Sequence, residues 1–284
     1  MESKFYAPPR EFEGCFTTFY RLNLSIDAGE KICDYMPPEW ASIRFFSGDV
    51  PDAQMGEQSL IDARVAASGP RSLAAKFALG DTRMWGIGIM PLGWARLFDS
   101  DADAVADKAM DAEKHPTFCK FAPLADVLCD DSVRETEQYD ALVDFMREAM
   151  QPHPEEERIL RIHRALVEED LSKVTDFAER VQLSVRTLER LCCRFFGFTP
   201  KLLLRRQRFM RSLSAFMLQS EGKWTKAMDA HYHDQAQFSR EFAAFMGMTP
   251  TEYAALDHPF LRSFTAARAA VVGSPAQTLD APDR

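Results

Sequence analysis

Apolar residues fall at helical spacing through much of the second half of the chain. Val174, Phe177, Ala178 and Val181 follow the i, i+3, i+4, i+7 rule of a helix with one buried face. Leu183-Ser184 interrupts that stripe, with Ser184 suited to cap a new helix, and Leu188, Leu191, Cys192 and Phe195 begin a second stripe. The plan then returns. Ala227 stands where Ala178 stood, Asp234 takes the capping place of Ser184, and Phe238, Phe242 and Phe245 form the stripe. Each copy closes on the same mark: Phe195-Phe196-Gly197-Phe198-Thr199-Pro200 recurs 50 residues later as Phe245-Met246-Gly247-Met248-Thr249-Pro250. In that mark the Gly sits past a helix end, where a left-handed backbone is needed. Thr then caps the next helix, and Pro takes its first position, where a missing N–H costs nothing. A repeat of this period indicates a duplicated supersecondary unit. Two short helices across a tight turn, twice over, form the helix-turn-helix pattern.

The first 150 residues alternate differently. Phe12 to Ile26, Trp40 to Ser47, Arg64 to Ala67 and Leu73 to Leu79 have strand composition, and Met84 to Met90 reads as a buried strand. A helix is predicted from Pro91 to Phe98. A clearer one runs near Arg134 to Met150, where Tyr139, Leu142, Val143 and Met146 keep helical spacing. Strands first and helices after predict a strand-rich domain over 1–150, either α+β or a small barrel-like fold, followed by an all-α double helix-turn-helix domain over 156–260. Pro152 and Pro154 around His153 mark 151–155 as the linker. From about 264 to 284 the chain is rich in Ala, Gly, Pro and Asp, which predicts a disordered tail.

Residues from about 155 to 258 resemble the AraC/XylS-type DNA-binding domain, in which two helix-turn-helix units are joined by a long helix. The resemblance rests on Leu183-Ser184-Val185-Arg186-Thr187-Leu188-Glu189-Arg190-Leu191 and on Asp234-Gln235-Ala236-Gln237-Phe238-Ser239-Arg240-Glu241-Phe242, each followed by its Gly-x-Thr-Pro. It implies a transcriptional regulator with double-stranded DNA as its partner. RNA polymerase, a small-molecule effector and a second copy of the chain are further candidate partners, and no cofactor or metal is expected. Base contacts are expected from Arg186, Glu189 and Arg190 in the first unit. Gln235, Ala236, Gln237 and Arg240 are their counterparts in the second. Arg can fork onto guanine, Glu can accept from cytosine, Gln suits adenine, and Ala can touch a thymine methyl. The joining helix, from Thr199 to about Leu218, would span about 30 Å, close to the ~34 Å of one DNA turn. Its basic run, together with Arg194, makes Arg194, Lys201, Arg205, Arg206 and Arg208 the candidate phosphate contacts.

The second unit departs from the family pattern. Lys226 stands where an apolar residue is usual, and His231 where Gly is favoured, a place His fills by tolerating a left-handed backbone. Glu221, Asp229, Asp234, Glu241 and Glu252 outnumber Lys223, Lys226 and Arg240. The first unit and the joining helix are therefore expected to carry most of the affinity.

The chain's 284 residues have a formal charge of −9, which taken alone argues against nucleic acid. The basic residues nevertheless concentrate around 186–211, and a local basic face can bind DNA on an acidic protein. Six cysteines without C-x-x-C pairing read as reduced cytosolic thiols. The start, Met1-Glu2-Ser3-Lys4, lacks the build of a secretion signal, so a cytoplasmic location is expected. The apolar stretch from Trp85 to Phe98 is broken by Gly86, Gly88, Pro91, Gly93 and Arg96 and does not read as a membrane span. Its layout resembles the sensor domains that precede the DNA-binding domain in some relatives. An effector pocket is expected there, with Trp40, Phe45, Met84, Trp85 and Trp94 as candidate lining. Gly86-Ile87-Gly88 lacks the third Gly of a dinucleotide fingerprint. The alternative, an enzyme or ligand carrier seated in this domain, finds no nucleophile–base–acid spacing and no cofactor loop, so an enzyme is not expected.

Overall fold

The computed structural model describes residues 1–168, 171–218 and 224–282. The N-terminal half contributes strands β1 (Glu2–Tyr6), β2 (Phe16–Leu24), β3 (Ile32–Met36), β4 (Ala41–Gly48), β5 (Asp52–Met55), β6 (Gln58–Leu60), β7 (Val65–Ser68), β8 (Ala75–Leu79), β9 (Thr82–Ile89) and β10 (Ala109–Asp111). They form two antiparallel sheets, ordered β1-β2-β9-β4-β7-β10 and β3-β8-β5-β6. The expected strands are all present. Short β1, β3, β5, β6 and β10 add to them, too brief or too polar to signal themselves.

Period-2 alternation divides the larger sheet. Phe45 pairs with Trp85 and faces one core, while Phe46 pairs with Met84 and faces another. The Phe46 side looks across at Phe77 and Leu79 of the smaller sheet, so this second core is the barrel interior. Gly86 makes that interior possible. A Cβ there would run into the Tyr20 ring, which lies across the strand.

The Phe45 side is covered by helices α1 (Pro91–Leu97), α2 (Ala122–Leu128), α3 (Glu135–Ala149) and α4 (Glu156–Glu168). Next come the units of the repeat. α5 (Val174–Arg180) and α6 (Val185–Leu191) form the first, with a π turn over Cys192–Phe196. α7 (Pro200–Leu218) joins it to α8 (Trp224–Ala227), α9 (Gln235–Met246) and α10 (Pro250–Ala254). Apolar packing does not stop at 151–155: Phe177, Leu188, Leu191, Phe195 and Phe196 belong to the same buried cluster as Trp40, Phe45 and Trp85.

The tail is a correction. Instead of disorder, α11 (Leu261–Val272) lies against the barrel, and Phe264, Thr265, Arg268, Gln277, Thr278 and Asp280 are buried. Phe260, Leu261, Phe264, Thr265 and Arg268 line one helical face, and this order is supplied by partners in β1–β3 and α7. Among the described residues no helix is long and apolar enough to cross a membrane.

Candidate nucleic-acid interface and the barrel cavity

Both recognition helices begin as the sequence requires. The Ser184 hydroxyl accepts from the Thr187 amide at 3.1 Å, and the Asp234 carboxylate from the Gln237 amide at 2.6 Å. Both end on a left-handed glycine, Gly197 at φ 80° and Gly247 at φ 70°. The turn between α5 and α6 is carried by Gln182 at φ 54°. His231 does not take the left-handed conformation expected of it. Its ring instead meets the Asp229 carboxylate at 3.1 Å. Lys226 reaches the surface, whereas Glu221 and Lys223 lie outside the described residues.

The structure sorts the expected base readers. Arg186 and Glu189 on α6, and Gln235, Ala236 and Arg240 on α9, are exposed. Among the described residues the side chains of Arg186, Glu189 and Arg240 have no ion pair, so their donors and acceptors stay open to a ligand. Arg190 leans back on Glu155 at 3.3 Å, a solvent-exposed pair of small worth. Gln237 is half-buried, and its carbonyl accepts from the His233 amide at 3.0 Å, closing the cap of α9.

The expected phosphate contacts need correction. Arg206 is fully buried. Its guanidinium stacks over Trp40 at 4.1 Å and donates to the Arg71 carbonyl at 3.1 Å. Burial pushes its pKa down to about 9, against the opposing pull of Asp107. Arg208 is largely buried between Glu241 at 2.7 Å and the Tyr232 ring. Arg205 also binds Glu241, at 2.9 Å, but stays more than a third exposed. Arg194 pairs with Asp101 at 3.2 Å. Only Lys201 is both exposed and without an ion pair among the described residues. The joining helix thus commits most of its positive charge to partners within the protein. Sequence alone could not show this, because the partners Trp40, Arg71 and Glu241 come from distant segments.

Of the expected pocket residues Met84 lines the cavity, and the other four are corrected. Trp40, Phe45, Trp85 and Trp94 are at most 1% exposed and fill the helix-facing core. The Trp85 indole donates to Gln138 and the Trp94 indole to the Ser100 carbonyl, each at 2.8 Å. The cavity lies on the sheet's other face. It holds about 90 Å³ and is lined by Phe46, Met55, Ala66, Phe77, Leu79 and Met84, with Phe260 and Phe264 from the tail. Arg44 and Arg71 bring charge to its wall. Between them Glu39 accepts two bonds from Arg44, at 2.8 and 3.0 Å, and pairs with Arg71 at 2.8 Å. Burial alone would raise the Glu39 pKa, but Arg44 and Arg71 outweigh it and hold it down at about 2. Arg71 keeps its Nε and Nη1 without a partner among the described residues. The signal for this site was available in sequence. Arg44 alternates with Ile43 and Phe45, which puts a charge on the face opposite the helix-covered core.

A helix-turn-helix domain family matches residues 177–255. No curated protein matches the chain in sequence. Solved structures resemble it at low identity. ToxT of Vibrio cholerae O395, bound to (E)-4-(8-methylnaphthalen-1-yl)but-3-enoic acid, aligns over 89% of this chain and 98% of its own at 10% identity, with a TM-score of 0.43. Wild-type ToxT from Vibrio cholerae strain SCE256, bound to an unsaturated fatty acid, aligns over 83% and 93% at 12% identity, with a TM-score of 0.40. The AraC-like transcriptional activator CuxR aligns over 80% and 90% at 12% identity, with a TM-score of 0.25. At these scores no residue's role is transferred.

Proposed function

We propose that this chain, which carries an AraC-type helix-turn-helix domain over residues 177–255, is a sequence-specific DNA-binding transcriptional regulator that responds to a small molecule held in its barrel. The observation that carries the DNA reading is the pair of capped recognition helices, each ending on a left-handed glycine and presenting exposed Arg186 and Arg240. The 19-residue α7 between them is about 28 Å long, which suits two successive major grooves on one side of a duplex. In this reading Arg186 and Glu189 read bases from the first unit, and Gln235, Ala236 and Arg240 from the second. Lys201 and Arg205 steer the phosphate backbone.

The barrel supports the effector reading. Its cavity is apolar on most sides, and two arginines share a single glutamate at the wall, leaving one net positive charge. That balance suits a ligand with an apolar body and an acidic end. RNA polymerase and a second copy of the chain are the partners through which such a regulator would act at a promoter.

The test is retention of sheared genomic DNA by the purified chain against excess competitor. A defined subset of fragments should be retained, and Arg186→Ala with Arg240→Ala should release it. Equal binding of all fragments, or of none, would overturn the reading.

A further inference from the structure

The cavity is small for the ligand it is suited to. An apolar cavity of roughly 150 Å³ admits benzene, and ligand sites commonly reach about 300 Å³ or more, against about 90 Å³ here. A ligand of ordinary size therefore has to move a wall. Most of the wall is β-strand, held by paired backbone hydrogen bonds. Besides loop residues Pro51 and Arg71, the rest of the wall is α11 and its N-cap, which contribute Phe264 and Phe260 and hold to the barrel by ring contacts and a polar clasp. Phe264 meets Phe5 and Tyr20 at 5.2 and 5.1 Å, and Phe260 meets Phe77 at 5.1 Å.

The clasp is Asp34 on β3. Its carboxylate accepts from the amides of Phe260 and Leu261, at 3.0 and 2.8 Å, where α11 begins. Its other oxygen meets His258 Nδ1 at 3.0 Å, while His258 Nε2 meets the Tyr253 carbonyl of α10 at 2.9 Å. One buried knot thereby ties the cavity wall, the barrel and the last helix of the second helix-turn-helix unit. Beyond α11 the tail also grips the joining helix, since the Gln207 amide donates to the Thr278 carbonyl at 2.7 Å.

We propose that α11 is the movable wall of the barrel cavity, and that a ligand with an apolar body enters by lifting it, which loosens the second helix-turn-helix unit from the barrel. The proposal rests on the effector reading above and adds the route and the consequence. The second unit can respond because its core of Phe209, Phe238, Phe242 and Phe245 is separate from that of the barrel. α11, half-buried Tyr35 and Ala74, and the Ala74 amide bonded to the Phe245 carbonyl at 2.7 Å connect it to the barrel.

The test uses the full chain and the dye 1-anilinonaphthalene-8-sulfonate, an apolar-bodied anion. Ala66→Phe fills the cavity and should abolish dye binding. Asp34→Asn leaves the lining intact but weakens the clasp. It should tighten dye binding roughly ten-fold, the scale of one lost hydrogen bond to a charged group. In the wild type, dye should accelerate amide exchange in α11 and α10 while α6 stays protected. Phe264→Ala, which keeps the clasp and removes a wall ring, carries the same expectation for dye affinity and serves if Asp34→Asn does not fold. Unchanged dye affinity in both variants, with binding still abolished by Ala66→Phe, would leave the cavity as the site and overturn α11 as its gate. Dye binding unaffected by Ala66→Phe would instead sink the effector reading, and the gate with it.

Discussion

The two helix-turn-helix units follow one plan on different foundations. In the first, the stripe of Leu188, Leu191 and Phe195 merges with the core that holds Trp40 and Trp85 of the barrel. In the second, Phe238, Phe242 and Phe245 close around Phe209 and Tyr253 as a cluster of their own. The first recognition helix is therefore fixed to the barrel by burial. The second is held by the joining helix, the tail, the Ala74–Phe245 backbone bond and the packing of half-buried Tyr35 and Ala74 against its edge. In the proposed reading, this difference in packing leaves one reader fixed and the other free to be repositioned. Charge follows the same division. Glu241 of the second unit draws in Arg205 and Arg208, so that contact ties the unit to α7 with charge that would otherwise face outward.

The largest expected effect separates the two glycines. A Cβ at Gly197 would meet Pro70 at 2.9 Å, while one at Gly247 would meet nothing within 4 Å. Both substitutions suffer from positive φ, but only the first also collides with the barrel. Gly197→Val should destabilise the chain by about 2–5 kcal/mol and lower the melting temperature of barrel and first unit together. Gly247→Val should cost about 1–2 kcal/mol and be felt in the second unit alone. Equal losses in thermal melts would show that the two foundations do not differ.

Next in size is base reading. Arg186→Ala should lose about 1–3 kcal/mol of binding and relax preference at one base position. Gln237→Ala should lose less, because its carbonyl already serves the helix cap. Titrations on the selected site and its single-base variants would measure both, and the reverse order would contradict the ranking.

Arg206→Met sharpens the distinction between buried and exposed cations. A buried guanidinium without a carboxylate partner gives little net stability, and a well-packed apolar replacement is often neutral or stabilising. The variant should match the wild type in unfolding free energy to within about 1 kcal/mol, and in the slope of DNA affinity against salt. A flattened slope would return Arg206 to the interface. Smallest is Lys201→Ala, which should weaken binding to all sequences alike and reduce the salt slope by about one.

Local features of the fold were legible because their causes are local. The repeated mark at 195–200 and 245–250, the caps at Ser184 and Asp234, and the strand at Met84 each depend on neighbours a few residues away. What sequence could not show is where segments meet. Arg206 reads as a surface cation until Trp40 is placed beneath it. The tail reads as disordered by composition, yet its Phe260, Leu261 and Phe264 face was already spaced for a helix and lacked only a visible partner. His231 reads as the turn residue by its place in the repeat, but in the first unit the strained position falls to Gln182, and the second turn follows another path. The aromatic residues proposed for a pocket were chosen for size. The sheet's alternation turns them toward the helices and leaves Met84 of the expected set, with Phe46 and Arg44, for the cavity.

The central claim is that two unequally anchored recognition helices read one duplex. Footprinting of the full chain on its selected fragment tests this most directly. The account predicts two protected segments on the same side of the duplex, centred about 10 base pairs apart. Gly247→Val should weaken only one of them, while the segment read through Arg186 persists. A single short protected segment, or two segments lost together in Gly247→Val, would contradict it.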